Sequence, residues 1–249
     1  MNRIFIINPK GGSGKSTMAI HTAVGFLNLG YKVLFIDCDI DQLTGYNFFQ
    51  HRKIFMEQKP EYPVPMAHCL KLNVDQLESV IAKEGKNYDF IIVDTPGMTL
   101  HHHNQMIIQW ADTIICPLNE SFIDLEAFKD SLFFNQLCLL KNKPVADSNH
   151  QRTVLLVTTR RSPIASYHQE DFYKELHGLK KFYGLDFIKG FFESVSFKEM
   201  FRNGLTTLDC SALHIIPSNI QRKSIESIKF YIKYLVQKIL TNQYMFSGD

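Results

Sequence analysis

The chain is poor in the features that mark several protein classes. Its five cysteines (Cys38, Cys69, Cys116, Cys138, Cys210) are odd in number, widely scattered and form no CxxC pair. That spacing argues against a disulfide framework and offers no ligand set for zinc or an iron–sulfur cluster. No run of about 18 apolar residues occurs and no secretory leader pattern is visible, so a cytoplasmic, non-spanning protein is expected. The net charge is only +2. A nucleic-acid surface, if there is one, must therefore come from local clustering. There is no internal repeat and no low-complexity segment.

What is present reads as an ordinary soluble globule, with 45% hydrophobic and 21% charged residues. A chain of 249 residues is long enough to bury a sizeable core, and one domain over 1–249 is expected. Apolar runs at Ile4–Asn8, Val33–Asp37, Phe90–Asp94, Thr113–Pro117, Val154–Thr158 and Phe187–Phe191 alternate with helix-like stretches. This alternation predicts an α/β fold, a doubly wound, mostly parallel sheet flanked by helices. A first helix is expected from Ser16 to about Leu29, closed by Gly30 in a left-handed cap. A last helix over about Ile220 to Leu240 places Ile225, Ile228, Ile232, Leu235 and Ile239 on one face. Arg222, Lys229 and Lys233 lie largely opposite. Pro60–Pro65 reads as a loop or extended arm, and Lys141–Arg152 as a polar connection.

The most informative stretch is Lys10-Gly11-Gly12-Ser13-Gly14-Lys15-Ser16-Thr17, directly after the apolar run Ile4–Ile7. A strand that ends in a glycine-rich loop and opens a helix holds the phosphates of a nucleotide. Its backbone N–H groups turn inward, and the helix N-terminus adds a positive dipole. In the pattern G-x-x-x-x-G-K-[ST], Lys15 reaches the β- and γ-phosphates and the Ser16 hydroxyl coordinates Mg²⁺. The strict pattern fails by one position, because Pro9 stands where its first glycine belongs. An additional lysine, Lys10, sits at the loop entrance instead.

Two further motifs fall at strand ends, where ligands of open α/β sheets gather. Asp37-Cys38-Asp39, with Asp41 close behind, puts three carboxylates near one another. Their mutual repulsion would be relieved by a cation, although acidic residues after a strand also cap helices. Phe90–Asp94 followed by Thr95-Pro96-Gly97 suits a buried strand whose last carboxylate faces Mg²⁺ directly or through water. The Pro96-Gly97 turn could then move when the γ-phosphate leaves.

KGGSGKST, DCDID and DTPG together resemble the deviant Walker A P-loop ATPases of the ParA/MinD family, and within it the MipZ group of division-plane positioning ATPases. Asn47–Arg52 (NFFQHR), Ala111–Phe122 (ADTIICPLNESF) and Gly204–Asp209 (GLTTLD) carry the resemblance beyond the phosphate loop. It implies a dimer-dependent, slow ATPase using ATP and Mg²⁺, with two subunits sandwiching the nucleotides. It also implies that Lys10 reaches the partner's nucleotide, that Asp39 orients or activates the attacking water, and that Asp37 and Asp94 organise the magnesium shell. The implied role is spatial regulation of bacterial division: inhibition of FtsZ assembly, recruitment by a ParB-like centromere-binding protein, and coupling to chromosome segregation. The alternative within the same fold is a ParA-type DNA or cargo partition ATPase.

Three other features bear on metal, DNA and membrane binding. His101-His102-His103 is read as a solvated loop, since adjacent histidines in one extended segment cannot all aim at one tetrahedral ion. Relatives bind DNA through a basic helix whose counterpart here is Arg160–Leu176 (RRSPIASYHQEDFYKEL). After Arg160-Arg161 it carries Glu170 and Asp171, so nonspecific DNA binding would depend on Lys180, Lys181, Lys189, Lys198, Arg202 or the last helix. No membrane anchor is expected, because Thr241–Asp249 is polar and short of lysine.

Overall fold

The computed structural model describes residues 1–97, 107–141, 145, 152–161, 167–190, 199–210, 213, 214 and 219–244. Seven strands form one sheet in the order β3-β2-β4-β1-β5-β6-β7. They are β1 (Asn2–Ile6), β2 (Val33–Asp37), β3 (His68–Lys71), β4 (Phe90–Asp94), β5 (Thr113–Asn119), β6 (Thr153–Thr159) and β7 (Asp186–Ile188). Every pairing is parallel. This is the doubly wound α/β architecture expected from the alternation of apolar runs and helices.

The inner strands are buried on both faces, which is why they read as unbroken apolar runs. Their alternate residues feed two cores. Ile4, Ile6, Phe35, Phe90 and Ile92 face one, shared with the helices α1 (Lys15–Asn28) and α2 (Thr44–Gln58). Phe5, Ile7, Leu34, Ile36, Ile91 and Val93 face the other, shared with α3 (Leu77–Glu84), α4 (Phe122–Lys129), α5 (Leu132–Leu140) and α6 (Tyr167–Tyr183). The last helix, α7 (Asn219–Tyr244), returns to the first face. Connections that run one way along the sheet lie on one face and those that run the other way lie opposite, as right-handed crossovers require.

Strands β2 and β4 have the expected bounds, and the others differ for local reasons. β1 begins at Asn2, because Arg3 is buried by a bidentate pair to Asp112 (Nε–Oδ2 2.9 Å, Nη2–Oδ1 2.9 Å). It ends at Ile6, and Asn8 instead ties the loop down by donating to the Pro117 carbonyl at 2.7 Å. β5 continues through Pro117 to Asn119. Proline is tolerated there because its nitrogen faces the side on which β1 has already turned away. The edge strand β3, four residues with half-exposed sides, has no apolar run to announce it.

Along α7, Ile228, Tyr231, Ile232, Leu235 and Ile239 are buried as the periodicity predicts, Ile225 is half-buried, and Lys229 and Lys233 are exposed. Gly25 of α1 makes the crossing possible, since a Cβ there would lie 2.5 Å from Ile232 Cδ1. Tyr231 Oη and Thr22 Oγ1 meet at 2.7 Å across the same contact. One turn earlier His21 is fully buried, with Nδ1 2.8 Å from the Thr17 carbonyl and its ring stacked on Phe201.

Burial lowers the His21 pKa to about 4, against a smaller opposing pull from the Thr17 carbonyl. A base depressed in the fold is neutral there, so its contribution is intact above about pH 6.5 and is lost as pH falls toward 4. Stability should therefore drop by about 3 kcal/mol between pH 7 and pH 4 through this group. Urea unfolding of the wild type and His21→Leu at both pH values checks this. The difference between the two proteins should shift by that amount, and an unchanged difference would remove His21 from the acid response.

Candidate nucleotide site

The carboxyl ends of β1, β2, β4, β5 and β6 converge at the point where the winding direction reverses, beside β1. The loop after β1 carries the glycines. Gly12 (φ +71°) and Gly14 (φ +94°) adopt left-handed conformations that a side chain would oppose. Gly14 caps α1, whose first turn contains no acidic residue. That leaves the helix N-terminus electropositive and suited to an anion. Lys15 is buried beneath the loop, and its Nζ donates to the Lys10 carbonyl at 3.2 Å. Burial lowers its pKa, while Asp94 and Asp39 pull in the opposite direction.

Register places Asp37 directly opposite Asp94 on neighbouring strands. Asp37 accepts from the Tyr46 N–H at 2.9 Å and the Asp39 N–H at 3.0 Å, which fixes its carboxylate. Burial still raises its pKa, and those backbone donors oppose the rise. Asp94 is fully buried, and neither of its oxygens accepts a hydrogen bond of ordinary geometry. Burial first, and then the charge of Asp37, push its pKa up to about 8; the nearby Ser16 hydroxyl and Lys15 counter part of the rise. A buried carboxylate with two unsatisfied oxygens beside a second carboxylate fits a divalent cation.

The other expected residues divide. Asp39 is half-buried at the rim, accepting from the Gln42 N–H at 3.3 Å, whereas Asp41 is exposed. Gly97 packs on the phosphate loop, since a Cβ there would lie 3.4 Å from Gly11 Cα and 3.5 Å from Lys15 Nζ. Gly11 is exposed, Ser13 is buried, and Thr17 is half-buried with its carbonyl turned to His21. His101–His103 and Lys198 lie outside the described residues.

Several residues that build the site lie outside the phosphate-loop and carboxylate motifs. The Thr159 hydroxyl lies 3.0 Å from both the Ser13 carbonyl and Asn119 Oδ1, joining the loop to β5 and β6. Asn119 donates to Asp124 at 2.6 Å, and Asp124 pairs with the Lys10 ammonium. Lys10 thus rests its ammonium on the buried Asp124 carboxylate of its own subunit, while its side chain remains 45% exposed. Leu43 (φ +48°), between Asp39 and α2, and Arg160 (φ +49°), after β6, hold left-handed backbone without glycine. Strain of this kind gathers at functional loops. Of the cations considered for DNA, Arg161 turns inward to the Gly190 carbonyl, and Lys180 pairs with Asp186. Lys181 and Arg202 are exposed.

The sequence profile of the ATPase MipZ family matches residues 2–228. The chain belongs to the MipZ ATPase family. A curated relative, an uncharacterised ATP-binding protein of Methanocaldococcus jannaschii, is 29% identical over 154 residues. That match spans 51% of this MipZ-family chain and 58% of the relative. Among solved structures, a Cyanothece McdA–ATP complex is similar with a TM-score of 0.65 and 16% identity, covering 95% of this chain and 96% of that one. The MinC:MinD cell division complex of Aquifex aeolicus gives 0.62 and 17%, over 95% and 96%. A MinD septum site-determining protein with Mg-ADP from Pyrococcus horikoshii gives 0.61 and 17%, over 96% and 98%. At these identities the structural likenesses establish the fold. Among the described residues no helix is long and apolar enough to cross a membrane.

Proposed function

We propose that the protein is an ATP-hydrolysing dimerisation switch that positions the bacterial division site by opposing FtsZ assembly. Family membership supports the ATPase chemistry. The observation that supports the switch is Lys10 at the loop entrance, 45% exposed and paired with Asp124, apart from the buried position that Lys15 takes beneath the loop. A lysine so placed is available to a second subunit's nucleotide. Lys15 and the loop N–H groups bind the phosphates of the subunit's own ATP. Asp39, at the rim, orients and activates the attacking water by accepting its proton. Ser16, Asp37 and Asp94 would hold Mg²⁺, which would supply neutralisation of phosphate charge when bound. Slow hydrolysis then returns dimers to monomers, so the dimer lifetime sets how far the inhibitor spreads from a ParB-like recruiting site on the chromosome.

Asp39→Ala removes the proton acceptor and spares the phosphate contacts. Turnover should fall on the order of 10²-fold or more. Size-exclusion chromatography with light scattering should show this variant as a dimer with ATP and a monomer with ADP. A monomer with both nucleotides would sink the switch. The division role is tested by sedimenting FtsZ with the ATP-bound protein. Polymer mass should fall, and an unchanged mass would favour a ParA-type partition ATPase.

A further inference from the structure

At the end of the molecule opposite the nucleotide loop, α1 and α7 leave an open groove of about 840 Å³. Gly25, Leu29, Tyr31, Leu208, Ile232 and Val236 supply its apolar lining, and Leu29 is 57% exposed. Lys229 and Lys233 stand on one bank, four residues apart on α7 and therefore one above the other. Neither makes an ion pair among the described residues, and no acidic residue lines the groove. An apolar trough between two helices, flanked by two unpaired ammonium groups, has the form that receives a helix laid lengthwise.

We infer that this groove docks an amphipathic helix of a protein partner, with apolar side chains at i, i+3, i+4 and i+7 and, on one flank of that stripe, two carboxylates four residues apart. The apolar stripe fills the trough between Leu29 and Val236. The carboxylate pair repeats the spacing of Lys229 and Lys233, so both charges are met together. The groove begins at Gly25, ten or more residues along α1 from Lys15, which is about 15 to 20 Å along the helix axis. It therefore lies at the opposite end of α1 from the phosphate loop. The partner consequently binds monomer and dimer alike, as a tether that does not read the nucleotide state.

The probe is a synthetic stapled helix about four turns long, with leucine on the apolar stripe and the glutamate pair on one flank, labelled for fluorescence anisotropy. It is titrated with the full chain, without nucleotide and with Mg-ATP. The same affinity within about twofold is expected in both states. A peptide with lysines in place of the glutamates should bind at least about tenfold more weakly to the wild type. Against the variant Lys229→Glu/Lys233→Glu the order of the two peptides should reverse. Leu29→Asp should weaken both, while ATP turnover and the circular dichroism spectrum stay unchanged in every variant. Absent binding, or binding indifferent to the charge swap, would overturn the proposal. So would preferential binding to phosphatidylglycerol vesicles that the same variants abolish, which would assign the groove to lipid. Concentration-dependent self-association lost in Leu29→Asp would assign it to a second copy of the chain.

Discussion

Arg52→Ala is expected to destabilise the protein by about 3 to 5 kcal/mol, read as a lower urea midpoint at unchanged slope. Arg52 is wholly buried in the middle of α2. Its guanidinium donates to Asp209 twice (2.9 and 2.7 Å), to the Gly204 carbonyl at 2.8 Å and to the Pro65 carbonyl at 2.8 Å. Asp209 also accepts from the Thr206 N–H at 2.7 Å. Alanine would strand the Asp209 carboxylate and two carbonyls in the interior, and that penalty exceeds what the pair gains over an apolar substitute. Arg52→Lys should recover only part of the loss, because an ammonium cannot match the planar fork. Replacing Arg52 and Asp209 together by apolar residues should cost less than Arg52→Ala alone. A loss below about 1 kcal/mol for Arg52→Ala would place the pair among contacts of little consequence.

That pair also marks where sequence reading stops. NFFQHR and GLTTLD each stand out as segments resembling the MipZ family, yet nothing in either says that Arg52 and Asp209, 157 positions apart, face each other. No helical or strand period connects residues brought together by tertiary packing. The same holds for Lys10 and Asp124, 114 positions apart. What was legible is what repeats locally. Continuous apolar runs gave β2 and β4 their bounds because those strands are buried on both faces. Position after a strand marked Lys15, Asp37, Asp39 and Asp94, since loops at strand ends must converge in a parallel sheet. Polar residues misled at the margins: Arg3 lies inside β1 because Asp112 satisfies its guanidinium. Edge strand β3 stayed hidden because a strand half in solvent needs no apolar signature.

Lys10→Ala should bind ATP, remain monomeric, and lose turnover by a factor on the order of 10³, the scale of a cation supplied in trans to a transferring phosphoryl group. The fold should persist, since the Lys10 side chain is nearly half exposed and Asp124 keeps its hydrogen bond from Asn119. Loss of activity alone does not show that the lysine acts across subunits, because a lysine acting within its own subunit would give the same result. Mixing Lys10→Ala with Asp39→Ala separates the two. In a mixed dimer the nucleotide of the Lys10→Ala subunit keeps its own Asp39 and receives Lys10 from the Asp39→Ala partner, so one complete site is assembled from two defective chains. Turnover of the mixture should rise well above that of either variant alone and vary with the square of dilution at low protein concentration. If both groups act within one subunit, no mixed dimer contains a complete site, and the mixture stays as inactive as its components. The contact with Asp124 supplies a control. If Lys10 crosses to the partner, its ion pair with Asp124 opens, so Asp124→Asn, which keeps Lys10, should retain ATP-dependent dimerisation where Lys10→Ala loses it.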